Sequence, residues 1–153
     1  MPKNLKKWRK RVKEKSVPDV AAKIASLLKC DDFFCLWLKG PLGAGKTTMA
    51  GDILRYFGLA SRTPVTSPTF TYLNEYKIEG KWYAHLDFYR LGDGALSDPA
   101  VILGDRPFAG LLIEWPEKLL EKHADKSLLE PTHILEISYT EMESERLFEF
   151  SEK

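Results

Sequence analysis

Apolar residues recur every three or four positions in two long segments of this chain, and this spacing predicts two amphipathic helices. The first segment begins at Ser16, with Pro18 in the first turn, and its apolar stripe is expected to pack on a sheet. The second covers residues 49–57 and is followed by Gly58, a residue type that ends helices in a left-handed conformation. A shorter helix is predicted to start at Pro116.

Six segments have the composition or the alternation typical of β-strands. They are residues 33–38, 70–78, 81–89, 110–114, 132–139 and 146–150. The second and third are joined by Glu79-Gly80, which predicts a hairpin, and the last two are predicted to form a closing antiparallel pair. Between residues 91 and 108 the pattern predicts at most a short helix, near 96–103.

A glycine-rich stretch, G-P-L-G-A-G-K-T-T, lies between the first predicted strand and the second helix. Gly40, Gly45, Lys46 and Thr47 satisfy the pattern G-x-x-x-x-G-K-[ST], a loop whose backbone N–H groups cradle phosphate oxygens. In this loop the lysine supplies charge to the β- and γ-phosphates, and the hydroxyl binds Mg²⁺. The strand before the loop and the helix after it are the context in which this motif binds phosphate.

Composition and length favour one cytoplasmic domain. The chain has 153 residues, 44% of them hydrophobic, and no apolar stretch approaches the roughly 20 residues of a membrane span. The basic N-terminus is not followed by a hydrophobic region, so neither a membrane span nor a secretory signal is predicted. Cys30 and Cys35, the only cysteines, are expected to be reduced and structural.

Positive charge is concentrated at the N-terminus. Residues 1–15 contain eight Lys or Arg and one Glu, a local charge of +7 in a chain of net charge +1, so the remainder carries −6. Two interpretations are open: a solvated, flexible extension, or a segment that contacts RNA phosphates. We expect residues 1–15 to be such an extension and residues 16–153 to form the single domain.

A phosphate-binding loop needs a carboxylate that holds the magnesium hydration shell, usually at the end of another strand. Asp87 follows W-Y-A-H-L, and Glu114 follows G-L-L-I. Both positions lie where α/β sheets place ligand groups, beyond the carboxyl ends of the strands. The sequence pattern does not rank one acid above the other.

Four motifs together resemble the TsaE (YjeE) family, bacterial ATPases of tRNA threonylcarbamoyladenosine biosynthesis. They are the loop at 40–48, V-T-S-P-T-F-T-Y-L-N-E-Y at 65–76, H-L-D-F-Y-R at 85–90 and I-E-W-P-E at 113–117. The resemblance extends over residues 17–150. It implies an α/β, P-loop NTPase-like fold of three layers with a mixed parallel and antiparallel sheet.

The resemblance also implies roles for individual residues. It implies catalytic roles for Lys46, Asp87, Glu114 and Thr69, the last as a sensor of the γ-phosphate. It implies that Thr47, Asp87 and Glu114 bind the metal. The residues implied in nucleotide binding are Gly40, Leu42, Gly43, Ala44, Gly45, Lys46, Thr47, Thr48 and Trp115.

The activity that the resemblance implies is Mg²⁺-dependent ATP hydrolysis, weak in the isolated protein. The implied cofactors are ATP and Mg²⁺. The implied partners are TsaD-like and TsaB-like proteins, and ATP hydrolysis is expected to reset their tRNA-modifying assembly. The chain departs from the family pattern at Pro41, where an acidic residue is usual, and in residues 92–107, which lack an acidic cluster. It also lacks the E-T pair common in the first helix.

Several alternatives stay open. His85 either contacts the metal shell or is a hydrogen-bonded structural residue, and Arg90 either neutralises the γ-phosphate or forms a structural salt bridge. Trp115 either faces the nucleotide or a partner, or it belongs to the core. For the whole protein, the other functions are a small P-loop kinase and a non-catalytic nucleotide-binding or RNA-binding adaptor.

Overall fold

The computed structural model describes residues 6–68, 71–91, 99–120 and 129–153, which form one seven-stranded sheet with helices. Its strands are β1 Lys7–Lys13, β2 Phe34–Lys39, β3 Leu73–Ile78, β4 Lys81–Asp87, β5 Phe108–Glu114, β6 His133–Tyr139 and β7 Glu145–Glu152. Its helices are α1 Val17–Leu28, α2 Lys46–Tyr56, α3 Pro99–Leu103 and α4 Pro116–Leu120, and a 3-10 turn, Glu14–Ser16, precedes α1.

The sheet has a parallel centre and antiparallel edges. The strand order is β1-β7-β6-β2-β5-β4-β3, in which β2 runs parallel to both β5 and β6, and β4 runs parallel to β5. The hairpins β3–β4 and β6–β7 and the pair β1–β7 are antiparallel. The predicted mixed sheet, the hairpin and the closing pair are therefore confirmed.

Two apolar cores cover the two faces of the sheet. Helices α1 and α2 pack on one face, where Leu36 and Leu38 of β2 meet Ile24 and Ile53. Cys35, which precedes Leu36 on β2, points to the opposite face because the side chains of successive strand residues alternate. That second core includes residues of β4, β5 and α4, so the protein has the three layers expected from its sequence.

Local sequence signals account for the helix and turn boundaries. Helix α1 has Ser16 at its N-cap position, without a side-chain capping hydrogen bond, and Pro18 in its first turn. Helix α2 ends in a Schellman motif with Gly58 at φ 117°. In that motif the Gly58 N–H donates to Arg55 O, and the Leu59 N–H donates to Leu54 O. Glu79 and Gly80 both have positive φ, the geometry of a tight two-residue hairpin turn.

The N-terminal basic segment is more ordered than expected. A flexible extension over residues 1–15 was the wrong expectation for Lys7–Lys13, which form the edge strand β1 paired with β7. Val12 is buried, and Trp8 stacks on Phe150 with ring centroids 5.4 Å apart. Trp8 and Val12, which lie on the same face of the strand, thus fix it on the sheet, while the charged side chains of the strand are exposed.

Two of the predicted elements lie next to residues that the structure does not describe. The strand predicted from residue 70 begins at Leu73, since Tyr72 has φ 62° and lies in a turn. The short helix predicted near 96–103 is α3, Pro99–Leu103, and residues 92–98 lie outside the described part. Among the helices that the structure describes, none is long and apolar enough to span a membrane.

Candidate functional site

The loop between β2 and α2 has the backbone of a phosphate cradle. Gly40, Gly43 and Gly45 all have positive φ, and the Gly45 residue caps the start of α2. At Gly40 a side chain is also sterically excluded, because a Cβ there would lie 2.3 Å from the backbone oxygen of Ile137 on β6. The glycines therefore let the loop turn tightly against the sheet. They also place the N-terminus of α2 so that it faces the loop.

Lys46 is buried at the first position of α2, and its ammonium group lies over the loop. Its Nζ donates hydrogen bonds to Gly40 O at 2.7 Å and to Pro41 O at 2.8 Å. Nζ also lies 4.4 Å from the ring centroid of Trp115, within cation–π range. Burial lowers the pKa of Lys46, and the nearby carboxylates of Glu114 and Asp87 partly offset that effect.

Glu114 joins the loop helix to the sheet. It is the last residue of β5 and is buried. The hydroxyl of Thr47 donates a hydrogen bond to Glu114 Oε1 at 2.8 Å, and His85 Nε2 lies 2.7 Å from the same oxygen. A hydroxyl, an imidazole and a carboxylate from three separate elements are thus in direct contact.

Asp87 lies beside Glu114 at the end of the neighbouring strand. In the parallel pairing of β4 with β5, Asp87 is the register partner of Glu114. Asp87 Oδ1 accepts a hydrogen bond from the Tyr89 backbone N–H at 2.9 Å, and Oδ2 accepts one from the Ser67 hydroxyl. Because the carboxyl ends of parallel strands meet at one edge of the sheet, both acids lie at that edge.

These side chains line a cavity of about 350 Å³ in front of the loop. It is lined by Leu42, Gly43, Gly45, Lys46, Thr47, Thr48, Ser67, Asp87, Tyr89, Glu114 and Trp115. The structure therefore brings together most of the predicted site residues. Two of them, Gly40 and Ala44, do not line this cavity, and Thr69 lies outside the described residues.

A second cavity, of about 440 Å³, lies on the other side of the same loop. It shares Gly43, Gly45 and Thr48 with the first cavity, and Ala44 lines it. Its walls include the apolar side chains of Val17, Pro18 and Phe148 and the charged groups of Glu14, Asp52, Glu143 and Arg146. Burial raises the pKa of Asp52, whereas the charge of Arg55 lowers it. The loop therefore lies between the cavity that contains the two strand-end acids and a second cavity that combines apolar walls with charged groups.

The oxygen groups in the front cavity fit a magnesium ion bound to phosphates. Thr47 supplies a hydroxyl, and Asp87 and Glu114 supply carboxylates, the donor types that Mg²⁺ prefers. Within the described ranges, no group of three or more His, Cys, Asp or Glu side chains could hold a metal by itself. Thr47, Asp87 and Glu114 are suited to an ion that takes its remaining ligands from phosphate and water.

The structure shows the surroundings of two of the residues whose roles were left open. His85 is fully buried, as a structural histidine would be, and its hydrogen-bond partner is Glu114, a carboxylate of the candidate site. Trp115 lines the cavity, with a left-handed φ of 55° and its ring 4.9 Å from that of Tyr89. Ser67 and Tyr89 line it too, although the sequence analysis did not include them among the site residues.

The strand, glycine-rich loop and helix, with two strand-end carboxylates beside the loop hydroxyl, define a P-loop NTPase-like protein. Such a fold implies nucleotide binding. Comparison with known families agrees. Residues 12–148 match the family described as "Threonylcarbamoyl adenosine biosynthesis protein TsaE". The chain belongs to this family.

Curated relatives with the name "tRNA threonylcarbamoyladenosine biosynthesis protein TsaE" include three from distant bacteria. The Haemophilus influenzae protein is 38% identical over 101 residues, which are 63% of this chain and 61% of that protein. The Aquifex aeolicus protein is 35% identical over 105 residues, 69% of this chain and 73% of that protein. The Rickettsia bellii protein is 34% identical over 130 residues, 82% of this chain and 80% of that protein.

Proposed function

We propose that this protein binds ATP with Mg²⁺ at the loop and hydrolyses it as an accessory protein of tRNA threonylcarbamoyladenosine biosynthesis. The observation that supports this most directly is the contact between Thr47 and Glu114. It joins the hydroxyl of the loop that we assign to the metal to an acid at the end of a distant strand. Asp87, in register with Glu114, provides a second acid at the same edge.

The two cavities fit the two halves of the ligand. The loop amides, Lys46 and Thr47 face the front cavity, where the triphosphate would be held. The partly apolar cavity behind the loop, bordered by Phe148 and Pro18, would take the nucleoside. Bound Mg²⁺ would supply charge neutralisation at the β- and γ-phosphates, with Thr47, Asp87 and Glu114 as its protein-side groups.

Each residue then has a separate task. Lys46 supplies positive charge at the loop, and its lowered pKa reflects a desolvated ammonium that an anion would stabilise. Asp87 is held by Ser67 and by the Tyr89 N–H, so its carboxylate is fixed in direction. Glu114 accepts hydrogen bonds, and such a carboxylate can orient a water molecule for attack on the γ-phosphate.

Family membership supports the pathway and the partners. We propose that TsaD-like and TsaB-like proteins bind this chain and that hydrolysis resets their assembly between turnovers. Turnover by the isolated protein is expected to be weak, because the loop region offers no unambiguous arginine finger. The contact of the basic N-terminus with tRNA remains part of the proposal, with β1 as the segment concerned.

The test is phosphate release by the full chain, alone and with the two partners and tRNA. Wild type should be stimulated by the partners. Lys46→Ala, Asp87→Asn and Glu114→Gln should each lose the stimulated rate. Glu136→Gln, which neutralises an exposed carboxylate on β6, is the matched control and should behave as wild type.

Three outcomes would contradict the proposal. Undiminished release by Glu114→Gln and Asp87→Asn would exclude a role for both acids. Label from γ-³²P-ATP appearing on a nucleoside or nucleotide would identify a kinase instead. Tight ATP binding without any turnover, even with both partners, would leave only a nucleotide-binding adaptor.

A further inference from the structure

A residue far from the loop in sequence holds the tip of the loop in place. Tyr139, the last residue of β6, donates a hydrogen bond from its hydroxyl to Leu42 O at 2.5 Å, across 97 residues of sequence. Leu42 and Gly43 are both among the residues that line the front cavity. From the sequence, Tyr139 was predicted only to be the end of a strand.

This hydrogen bond fixes an amide direction as well as a carbonyl direction. The peptide unit between Leu42 and Gly43 is planar and trans, so its C=O and N–H point in opposite directions. When Tyr139 anchors the Leu42 carbonyl, the Gly43 N–H is turned away from Tyr139. A phosphate cradle depends on the directions of such N–H groups.

The loop is packed closely against β6 at two places. A Cβ at Gly43, which has φ 76°, would lie 3.0 Å from the Tyr139 hydroxyl. Two residues earlier on the same strand, the Ile137 backbone oxygen would lie 2.3 Å from a Cβ at Gly40. Strand β6 therefore contacts the loop near its beginning and near its tip.

Arg146 supports the tyrosine from the neighbouring strand. It is the register partner of Tyr139 in the β6–β7 pair, and its guanidinium carbon lies 4.6 Å from the Tyr139 ring centroid. Arg146 Nη1 also donates to Glu143 O at 2.7 Å and to Glu145 O at 2.9 Å. The planar guanidinium is thus fixed on the β6–β7 turn and limits the positions of the half-exposed ring.

We propose that Tyr139, held by Arg146, is a positioning residue that orients the Leu42–Gly43 peptide of the phosphate loop for nucleotide. The inference rests on the proposed function of the same site, since it concerns how that loop is prepared to bind phosphates. Tyr139 acts through the loop backbone, and it touches Leu42 directly. Its effect should therefore appear in binding more than in the rate of the chemical step.

Tyr139→Phe tests this with the loss of one hydroxyl. Tyr56→Phe is the matched control, because Tyr56 has a similar exposure, 46% against 50%, at the far end of α2. The first readout is hydrogen–deuterium exchange of the loop amides in nucleotide-free protein. The second is calorimetric affinity for ADP and for ATP, with melting temperature as the check on folding.

Tyr139→Phe should speed exchange at residues 42–45 and weaken both nucleotides by roughly two- to tenfold, as for one lost hydrogen bond. Its melting temperature and kcat should match those of Tyr56→Phe. Arg146→Lys, which keeps the charge and loses the planar group, should also speed exchange at residues 42–45. The exchange is the readout for this variant, because Arg146 also lines the second cavity and could change nucleotide affinity directly.

Loop exchange and affinity equal to those of wild type would overturn the inference. A lower melting temperature with no selective change in the loop amides would overturn it too, because Tyr139 would then be merely structural. If wild type bound neither nucleotide, the proposed function would fail. The exchange readout, which uses no ligand, would still decide whether Tyr139 orders the loop.

Discussion

Nε2 of His85 lies 2.7 Å from Oε1 of Glu114, and both side chains are almost completely buried. This hydrogen bond joins the imidazole to the carboxylate oxygen that also accepts from the Thr47 hydroxyl. Nδ1 of the same ring makes no hydrogen bond within the described part of the chain. His85 therefore has one polar function that the structure shows, which is to hold the acid that also contacts Thr47.

Replacing His85 should damage the site through Glu114. His85→Leu leaves the buried carboxylate without one of its donors, so we expect phosphate release to fall by roughly 10- to 100-fold. His85→Gln can place an amide N–H near the position of Nε2 and should recover part of that loss. The measurement is partner-stimulated phosphate release at saturating ATP, alongside ATP affinity.

The comparison of the two variants separates positioning from packing. A purely structural histidine would give two variants that differ in melting temperature and not in kcat. Equal kcat in His85→Leu, His85→Gln and wild type would show that Glu114 needs no help from this ring.

Lys46→Met should abolish ATP binding without lowering the stability of the fold. Burial places the pKa of Lys46 below its ordinary value of 10.5, so the folded protein disfavours the charged form relative to the unfolded chain. Its contribution to stability therefore becomes more favourable as pH rises through the folded pKa towards 10.5, and at neutral pH the charge is a cost. Methionine removes the charge at similar length. ATP binding should be lost while the melting temperature at pH 7 stays the same or rises.

The control for that variant is Lys81→Met, which removes an exposed charge at the start of β4. It should leave ATP affinity and melting temperature unchanged. A marked fall in the melting temperature of Lys46→Met would show that the hydrogen bonds to Gly40 and Pro41 outweigh the desolvation of the ammonium group.

Gly110→Ala should destabilise the fold by overpacking. Gly110 on β5 is the register partner of Phe34 on β2, and a Cβ there would lie 2.2 Å from the Phe34 ring. The ring has little room to move, because Phe57 and Tyr83 lie against it with centroids 5.8 and 6.2 Å away. Urea unfolding should show a loss of about 1–3 kcal/mol.

A double-mutant cycle identifies the cause of that loss. Phe34→Leu should cost stability alone and reduce the effect of Gly110→Ala when the two are combined. Strict additivity of the two changes would mean that the destabilisation arises elsewhere than in the contact with the ring.

The two cysteines should differ sharply in reactivity. Burial raises the pKa of Cys35 to about 12, so almost none of it is thiolate near pH 8, while Cys30 is exposed. Ellman's reagent at pH 8 should therefore titrate one thiol in folded protein and two in guanidinium. Cys30→Ser should abolish the reaction of the folded protein, and rapid labelling of that variant would contradict the prediction.

Much of the architecture follows from local sequence rules. The loop motif, the glycine that ends α2 and the Glu79-Gly80 turn each depend on a few neighbouring residues with restricted backbone angles. The strands before and after them were found from alternation and apolar runs, and their existence is confirmed. The edge strand β1 was missed, because charged residues dominate its composition and only Trp8 and Val12 mark its inner face.

The site itself was predicted less completely. Residue types and strand ends indicated Asp87 and Glu114, and the family resemblance then assigned them roles. Their different partners became visible only in the fold, where Glu114 contacts Thr47 and His85 while Asp87 contacts Ser67.

The phosphate loop, the elements on either side of it and the family can all be predicted from the amino-acid sequence. Those features depend on backbone preferences and side-chain periodicity within short segments. The contact of Glu114 with the loop hydroxyl and the hydrogen bond from Tyr139 to the Leu42 carbonyl become visible only in the folded chain. Such contacts join residues separated by many positions, and they are set by strand order and register, which no local pattern encodes.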